Sequence, residues 1–370
     1  MRPSRRITQC LLVGAALSAL LAGCATAPPQ AVAAPTRAVV SGPTNLRMFA
    51  EQSRLSGEAI ADLVPSTQPG CSAAVGKVGI VVWAAAAGLA DHAAGIPVTT
   101  ETRFDIASVS KQFTATAILM LQRDGLISLS DPISDYVDDL PWWGAEVTLD
   151  QLMHHTSRIP DYWVELDDIG IGFTEPADQQ VTVDAIRREQ ALVPGTGFDY
   201  SNSNYVLLAE VVGRVSGLPL PEFLAERIFA PLGLDMVLAP TLHAPDIALS
   251  YDDDLSLQEA GWTSYGHTGI ITTPSELVRW GDQYRTGDII QDDFDSGAVL
   301  QDDGELYAAG MNIQEDGDLA HKGRMGGFIS AFTVSADRET VIAVMCNGHL
   351  SNRNGISDRL WAIWDPHSAE

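Results

Sequence analysis

A serine and a lysine one helical turn apart are the residues of this chain best suited to chemistry. Ser108 and Lys111 lie in the stretch 104–121, FDIASVSKQFTATAILML. Residues three apart share a helix face, so the amine can take the hydroxyl proton. The apolar run after Lys111 predicts a buried helix that ends at Asp124-Gly125. A hydroxyl at the start of such a helix suits nucleophilic catalysis, because free backbone N–H groups there stabilise an oxyanion.

Ser-x-x-Lys alone is a weak motif, since most such tetrads are surface accidents. The chain has only three lysines, Lys77, Lys111 and Lys322, which makes a chance match less frequent here. Further motifs downstream must therefore decide whether this one is functional.

The stretch 194–210, PGTGFDYSNSNYVLLAE, supplies a second set of polar groups. It predicts a glycine-rich loop followed by a helix that ends near Gly217. A Tyr200 hydroxyl beside Lys111 could have its pKa lowered by the ammonium and act as general base. Asn202 could orient the lysine or a substrate carbonyl. The alternative is a helix N-cap with a half-buried tyrosine.

A glycine-rich stretch near the C-terminus, HKGRMGGFIS, begins with His321 and contains Gly323. A glycine there lets a substrate lie against a strand edge, and the next backbone N–H could complete an oxyanion hole. The rival triplet 267–269, His-Thr-Gly, is rejected as the third motif. It is followed by a helix start, whereas 321–323 is followed by strand-like runs.

The three motifs occur in the order found in the serine β-lactamase-like hydrolases. That group contains class C β-lactamases, D,D-peptidases, D-aminopeptidases and related esterases, and the Tyr-x-Asn motif resembles its class C-like branch. The resemblance covers about residues 45–364. Flanking stretches also resemble the family: Pro69-Gly70-Cys71, LMHHTS at 152–157, 194–208, and Gly326-Gly327-Phe328.

The resemblance implies catalysis through an acyl-enzyme, with neither metal nor cofactor. The catalytic residues would be Ser108 as nucleophile, Lys111 as its activating amine, and Tyr200 as general base and then general acid. The remaining family positions would bind the substrate or its oxyanion: Asn202, His321, Gly323 and Arg324. The backbone N–H groups of Ser108 and Arg324 would form the oxyanion hole.

This chain departs from the family pattern at two places. The third motif begins with His321, where class C enzymes usually have lysine, so recognition of a β-lactam carboxylate would be weaker. Strand alternation points Lys322 to the opposite side. Arg158 and Ile159 also stand where the family commonly has glycine, which puts a charged side chain near the site. His155, in the same loop, is interpreted as structural.

The composition, 46% hydrophobic and 19% charged, is that of a globular protein, and the formal net charge is −26. This charge argues against nucleic acid or anionic lipid headgroups as partners. The acidic runs at 252–254 and 302–303 are interpreted as solvated loops, because no calcium-loop spacing accompanies them.

Residues 1–24 resemble a lipoprotein signal peptide, with a basic start, an apolar middle and a lipobox-like Leu-Ala-Gly-Cys that ends at Cys24. The alternative is an ordinary signal peptide cut near Ala25 or Ala27. We expect a periplasmic protein that is lipid-anchored through Cys24, and Ala25 favours the outer membrane. Residues 25–43, rich in Ala, Pro and Thr, predict a flexible tether.

The fold class predicted for the remainder is α/β, an antiparallel sheet flanked by helices, as in β-lactamases and transpeptidases. Residues 44–125 and 262–370 form the α/β part, and 126–261 an inserted helical subdomain. Predicted strands are 71–77, 80–87, 306–313, 327–334 and 340–346, and 352–364 forms a closing helix. Cys71 and Cys346 lie in the first and last of these strands. They are either disulfide-bonded or two buried thiols.

The predicted function is a serine hydrolase that cleaves an ester or a peptide-like amide through an acyl-enzyme on Ser108. One alternative is a D,D-carboxypeptidase or β-lactamase that acts on cell-wall peptides or β-lactams. Another is a peptidoglycan-binding lipoprotein without catalysis. Small molecules or peptides are the expected substrates, and the sequence leaves the oligomeric state open.

Overall fold

The computed structural model describes residues 49–287, 289–290, 293–348 and 353–365. These residues belong to one compact unit. The predicted signal peptide, the tether and Cys24 lie outside the described residues. Within the described ranges, no helix has the length and apolar character needed to cross a membrane.

The strands of the described residues are β1 Cys71–Lys77, β2 Ile80–Ala87, β3 Leu89–Asp91, β4 Ile96–Pro97, β5 Phe104–Asp105, β6 Val237–Leu238, β7 Ile270–Thr272, β8 Val299–Leu300, β9 Leu306–Tyr307, β10 Asn312–Ile313, β11 Leu319–Met325, β12 Phe328–Val334 and β13 Thr340–Cys346. Eight of these strands form the antiparallel main sheet, in the order β2-β1-β13-β12-β11-β10-β9-β8. A second sheet has the order β5-β7-β6, and β3 pairs with β4.

The helices pack on this sheet or lie in the segment between β5 and β7. They are α1 Ala50–Leu63, α2 Lys111–Arg123, α3 Leu149–Met153, α4 Tyr162–Asp168, α5 Gln179–Ile186, α6 Asn202–Ser216, α7 Leu220–Leu224, α8 Ala230–Leu232, α9 Pro274–Gly281, α10 Gln283–Thr286 and α11 Arg353–Trp364. The mixed α/β class, an antiparallel sheet flanked by helices, is confirmed.

Every side chain of β13, the third strand of the main sheet, is buried, because helices cover both faces. On one face α1 and α11 pack together over β1 and β13, with Ile60, Leu360 and Trp364 in their interface. On the other face α9 lies against the same strands. Strands covered on both sides read as continuous apolar runs, as TVIAVMC does.

The β1–β2 hairpin has the predicted bounds, and Val78 and Gly79 form its turn at positive φ. The β1–β13 register pairs Cys71 with Cys346, and a disulfide joins them. Of the two states that the sequence left open, the structure has the bonded one.

The run 306–313, predicted as one strand, is two short strands instead. Gly310 lies between β9 and β10 at a φ of 77°, which ends the extended conformation. A Cβ there would lie 2.6 Å from the Gln112 backbone nitrogen, so the turn packs directly on α2. This tertiary contact, which a sequence pattern does not reveal, breaks the strand.

The central helix also differs at its start. A 3₁₀ turn, Ala107–Ser110, carries Ser108, and the α-helix begins at Lys111. Ala107 has a φ of 49°, in the left-handed region that costs an alanine about 1–2 kcal/mol. The helix ends where predicted, with Asp124 as C-cap and Gly125 at a φ of 71°. Ser108 therefore follows a strained residue at the start of a buried helix.

Candidate active site

Ser108 and Lys111 form the centre of the site. The Lys111 Nζ lies 3.3 Å from the Ser108 Oγ, and the lysine is fully buried. Burial lowers the pKa of Lys111 to about 7, while the negative charge of Asp161 opposes this shift. Near neutral pH a large fraction of this amine is therefore unprotonated and able to accept a proton.

Two oxygen atoms hold the Lys111 amine in place. Its Nζ donates to Asn202 Oδ1 at 2.7 Å and to the His267 carbonyl oxygen at 3.2 Å. Asp161 in turn fixes Asn202, because its Oδ2 accepts from Asn202 Nδ2 at 2.8 Å and from the Asn202 backbone N–H at 3.0 Å. The amide is thus oriented with its oxygen towards the lysine.

The pKa of Tyr200 differs from the one predicted from the sequence. Tyr200 as a whole is 37% exposed, but desolvation of its hydroxyl raises the pKa above the ordinary value, and a hydrogen bond with Ser108 lowers it in part. The Lys111 Nζ lies over the ring, 4.8 Å from the centroid. A lysine with a pKa of about 7 is only partly charged at neutral pH, so it does not offset desolvation. The predicted direction of the tyrosine pKa shift is wrong, and of these two groups only the Lys111 amine has a pKa near neutrality.

An aromatic cluster supports Tyr200 from behind. The ring of His155 lies 4.3 Å from that of Tyr200, and its Nδ1 accepts from the Ser201 N–H at 3.2 Å. Burial is the main cause that holds the pKa of His155 well below its usual range, so the ring is neutral. The contacts of His155 agree with a structural role.

The strand β11 touches the turn that carries Ser108 at Gly323. A Cβ on this glycine would clash with the Ile106 carbonyl oxygen and with Ser330 Oγ, and would lie 2.9 Å from the Ala107 Cβ. Only glycine allows this approach. Arg324, the next residue, has an exposed side chain and lines the same cleft as Ser108.

His321 lies in β11 with its ring buried. Its Nε2 faces the Tyr307 hydroxyl at 3.3 Å, and its Nδ1 lies 2.9 Å from the Lys322 carbonyl oxygen. A carbonyl can only accept, so Nδ1 carries the proton and Nε2 accepts from the tyrosine. Burial, with a smaller effect of Lys111, lowers the pKa of His321 to about 3. This histidine is therefore neutral and offers a substrate no positive charge.

Two clefts meet at Ser108. The first, of about 490 Å³, has an aromatic cluster in its lining that includes Trp163, Phe173 and Trp262. We call it the aromatic cleft. The second, of about 810 Å³, is lined by charged and polar groups, among them Asp303, Glu305, Lys322, Arg324 and Arg353. We call it the polar cleft. A substrate with one apolar and one polar end would place its scissile bond at Ser108.

The structure brings all seven predicted site residues to these clefts or to their walls. Ser108, Asn202 and Arg324 line both clefts, and the polar cleft adds Tyr200, His321 and Gly323, while Lys111 lies buried beneath Ser108. Arg158, expected near the site, is exposed and absent from the described lining of both clefts. Its φ of 59° explains why glycine suits this position.

Sequence reasoning missed two residues that organise the site. Asp161 fixes Asn202, and its position just before α4 resembles an ordinary helix cap. Asp105 is buried, and its Oδ1 accepts from the backbone N–H groups of Ala107 at 2.7 Å and of Gly269 at 3.3 Å. Burial raises the pKa of Asp105 to about 6. Its carboxyl joins the loop before Ser108 to the loop that contacts Lys111.

Comparison with known proteins agrees with this geometry. The sequence profile of the beta-lactamase family matches residues 59–363. A D-aminopeptidase of Brucella anthropi is 30% identical over 285 residues, which are 70% of this chain and 52% of that protein. A D-aminopeptidase of Cereibacter sphaeroides is 33% identical over 189 residues, 50% of this chain and 36% of that protein. The chain spans between about a third and a half of these curated relatives.

Solved structures share the fold. A D-amino acid amidase of Ochrobactrum anthropi, complexed with L-phenylalanine amide, superimposes with a TM-score of 0.74 at 22% identity, covering 86% of this chain and 100% of that one. A penicillin-binding protein of Bacillus halodurans gives 0.73 at 23% identity, covering 85% and 100%.

Proposed function

Because the chain belongs to the beta-lactamase family, whose relatives named above include peptidases and an amidase, we propose that it is a serine hydrolase. It forms an acyl-enzyme on Ser108. The observation that carries this proposal is the buried Lys111 amine, which lies 3.3 Å from the Ser108 hydroxyl and has a pKa of about 7. A structural lysine would be charged and exposed; this one is held where a general base is needed.

In the proposed reaction, the Lys111 amine takes the hydroxyl proton of Ser108 while the Ser108 Oγ attacks the substrate carbonyl carbon. The developing oxyanion is stabilised by the backbone N–H groups of Ser108 and Arg324. As the carbonyl re-forms, the bond to the leaving group breaks. The leaving group receives the proton from the Lys111 ammonium through the neutral Tyr200 hydroxyl. Water then attacks the ester on Ser108 in the same way and releases the acid.

The two clefts support a substrate class. Trp163, Phe173 and Trp262 favour an acyl group that carries an aromatic or other large apolar side chain. The relatives called D-aminopeptidase and D-amino acid amidase lead us to propose D-aminoacyl amides, esters or short peptides. The neutral, buried His321 argues against efficient β-lactam turnover, because it adds no charge for the drug's carboxylate.

The place of action is part of the proposal. Export with a lipid anchor at Cys24 is proposed from the lipobox-like sequence at the N-terminus. The disulfide between Cys71 and Cys346 supports export, since such bonds persist in oxidising compartments.

The test combines a substrate panel with intact-mass measurement on the full chain. The panel contains D- and L-phenylalanine p-nitroanilides, a p-nitrophenyl ester and a penicillin. We expect cleavage of the ester and of the D-anilide, unmodified enzyme after penicillin, and intact drug. Ser108→Ala should lower turnover by about 10⁴-fold or more with an unchanged melting temperature.

Other outcomes would change the proposal. A lasting penicillin adduct on Ser108 would indicate a penicillin-binding peptidase, and consumed drug a β-lactamase. Equal turnover in Ser108→Ala would refute the serine mechanism. Binding of peptidoglycan fragments with no turnover of any substrate would favour a binding protein.

A further inference from the structure

We propose that Arg353 is a positioning residue for the oxyanion hole, acting through the peptide group between Gly323 and Arg324. The inference rests on the proposed function, in which the N–H of that peptide group stabilises the oxyanion. It concerns a residue at the start of α11, which the motifs do not include.

The contact is specific. The Nη1 atom of Arg353 donates to the Gly323 carbonyl oxygen at 2.6 Å and to the Ser330 carbonyl oxygen at 3.2 Å. Gly323 and Ser330 are directly opposite in the β11–β12 register. The guanidinium is half-buried and lines the polar cleft. It therefore joins α11 to both strands at the point where β11 touches the nucleophile's turn.

A cation bound to a peptide carbonyl changes the other end of that peptide group. The Gly323 carbonyl and the Arg324 N–H belong to one conjugated amide. Drawing electron density towards the oxygen makes the N–H a stronger donor, in the way that linked hydrogen bonds strengthen each other by roughly 10–30%. Charge-assisted bonds of this kind are also shorter and stronger than neutral ones. Guanidinium stays charged at any working pH.

Arg353 also limits movement of the strand. Gly323 has no side chain to anchor it, because a Cβ would clash with the Ile106 carbonyl oxygen. The two hydrogen bonds from the Arg353 guanidinium take the place of a side-chain contact and hold the Arg324 N–H at a fixed distance from Ser108. Both effects matter most when the carbonyl oxygen of the substrate becomes negative. The expected consequence is a change in kcat with little change in KM.

The experiment compares Arg353→Met with Arg353→Lys and a matched control, Arg338→Met. Arg338 makes the same kind of contact in the loops at the other end of β11 and β12, since its Nη1 donates to the Gly317 and Ser335 carbonyl oxygens at 2.9 Å each. Each variant is assayed on an ester and on the corresponding thionoester, whose sulfur is a poor oxyanion-hole acceptor.

We expect Arg353→Met to lower kcat for the ester by about tenfold with KM within twofold, because a weakened donor costs less than the 10²–10³ of a lost one. The thionoester rate should fall much less, so the ester-to-thionoester ratio drops several-fold. Arg353→Lys should restore part of the ratio, and Arg338→Met should leave it unchanged. An equal loss on both substrates, a rise in KM alone, or the same loss in Arg338→Met would overturn the proposal.

A second measurement does not depend on turnover. The amide proton of Arg324 should resonate further upfield in Arg353→Met than in wild type and Arg338→Met, because its polarisation is lost. Absence of any Ser108-dependent turnover in wild type would refute the proposed function. An unchanged Arg324 amide signal in an active enzyme would refute the role of Arg353.

Discussion

The two His-x-Gly triplets of the chain both reach the Ser108 site, but in different backbone settings. Residues 321–323 lie within β11, and their glycine packs against the turn that carries Ser108. Residues 267–269 lie in the loop before β7, and the His267 carbonyl oxygen accepts from Lys111 Nζ. One triplet brings β11 beside the turn that carries Ser108, and the other contacts the Lys111 amine.

The two imidazoles share their burial and their Nε2 contact. Each presents Nε2 to a tyrosine hydroxyl, at 3.3 Å from Tyr307 for His321 and 2.8 Å from Tyr162 for His267. Burial lowers the pKa of both rings below the ordinary value. They differ at Nδ1, which lies 2.9 Å from the Lys322 carbonyl oxygen in His321 and makes no hydrogen bond of good geometry with any described residue in His267. The triplets therefore differ mainly in their backbone setting, and both rings are buried and neutral.

Replacing Gly323 by alanine should have the largest effect. The new Cβ would meet the Ile106 carbonyl oxygen and push β11 away from Ser108, which displaces the Arg324 N–H. Loss of one oxyanion-hole donor costs about 10²–10³ in kcat. Steady-state kinetics and a melting curve measure this, with Gly57→Ala as control because a Cβ there meets nothing within 4 Å. Full activity in Gly323→Ala would show that the glycine of 321–323 does not position β11 beside Ser108.

Gly269→Ala should lower the free energy of unfolding more than it lowers the catalytic rate. Gly269 has a φ of 97° and its Cβ would lie 2.5 Å from the Pro240 Cγ, so strain of roughly 1–3 kcal/mol is expected. Displacement of the His267 carbonyl would also release Lys111, with a loss of activity of about tenfold. Denaturant unfolding and kinetics on one preparation separate the two effects. A loss of activity larger than that of Gly323→Ala would reverse the assigned roles.

The sequence predicts the parts of the site that rest on local patterns. The hairpin bounds follow from alternation around Val78-Gly79, and the end of α2 follows from Asp124-Gly125. The three motifs lie together as the resemblance implied. The hairpin and the helix end depend on neighbouring residues, so a linear pattern contains them, whereas the meeting of the motifs was expected from the family resemblance alone.

Features that depend on distant contacts were not predictable. Asp161 meets Asn202 from 41 positions away, and Asp105 meets Gly269 from 164 away. Neither pairing leaves a spacing signal. The pKa of Tyr200 was predicted in the wrong direction because desolvation of its hydroxyl depends on tertiary contacts, here with the rings of His155 and Tyr307.

The proposed role of Lys111, whose amine contacts the 267–269 loop, can be tested through the pH dependence of kcat/KM. With a Lys111 pKa of about 7, kcat/KM should rise with pH through 7 as the amine loses its proton. The negative charge of Asp161 raises the pKa of Lys111, so Asp161→Asn should move this limb to lower pH. Because asparagine retains an oxygen for Asn202, the plateau should change by less than about tenfold. A limb that stays in place would exclude Lys111 as the titrating group.

The imidazoles should have the smallest effect on activity, and replacing them should instead change the pH dependence of stability. Burial lowers the folded-state pKa of His321 from 6.5 to about 3, so between these values the unfolded chain binds more protons. The free energy of unfolding of wild type should therefore fall as the pH drops from about 6.5, by up to ~1.4 kcal/mol per pH unit for each such proton. His321→Gln should reduce the slope of the free energy of unfolding against pH by the contribution of one proton. His267→Gln should reduce it by another, since both rings are buried and neutral. Urea unfolding at several pH values between 4 and 6.5 measures the slopes. If only one substitution changed the slope, the two histidines would differ after all, and the distinction between the triplets would extend from backbone to side chain.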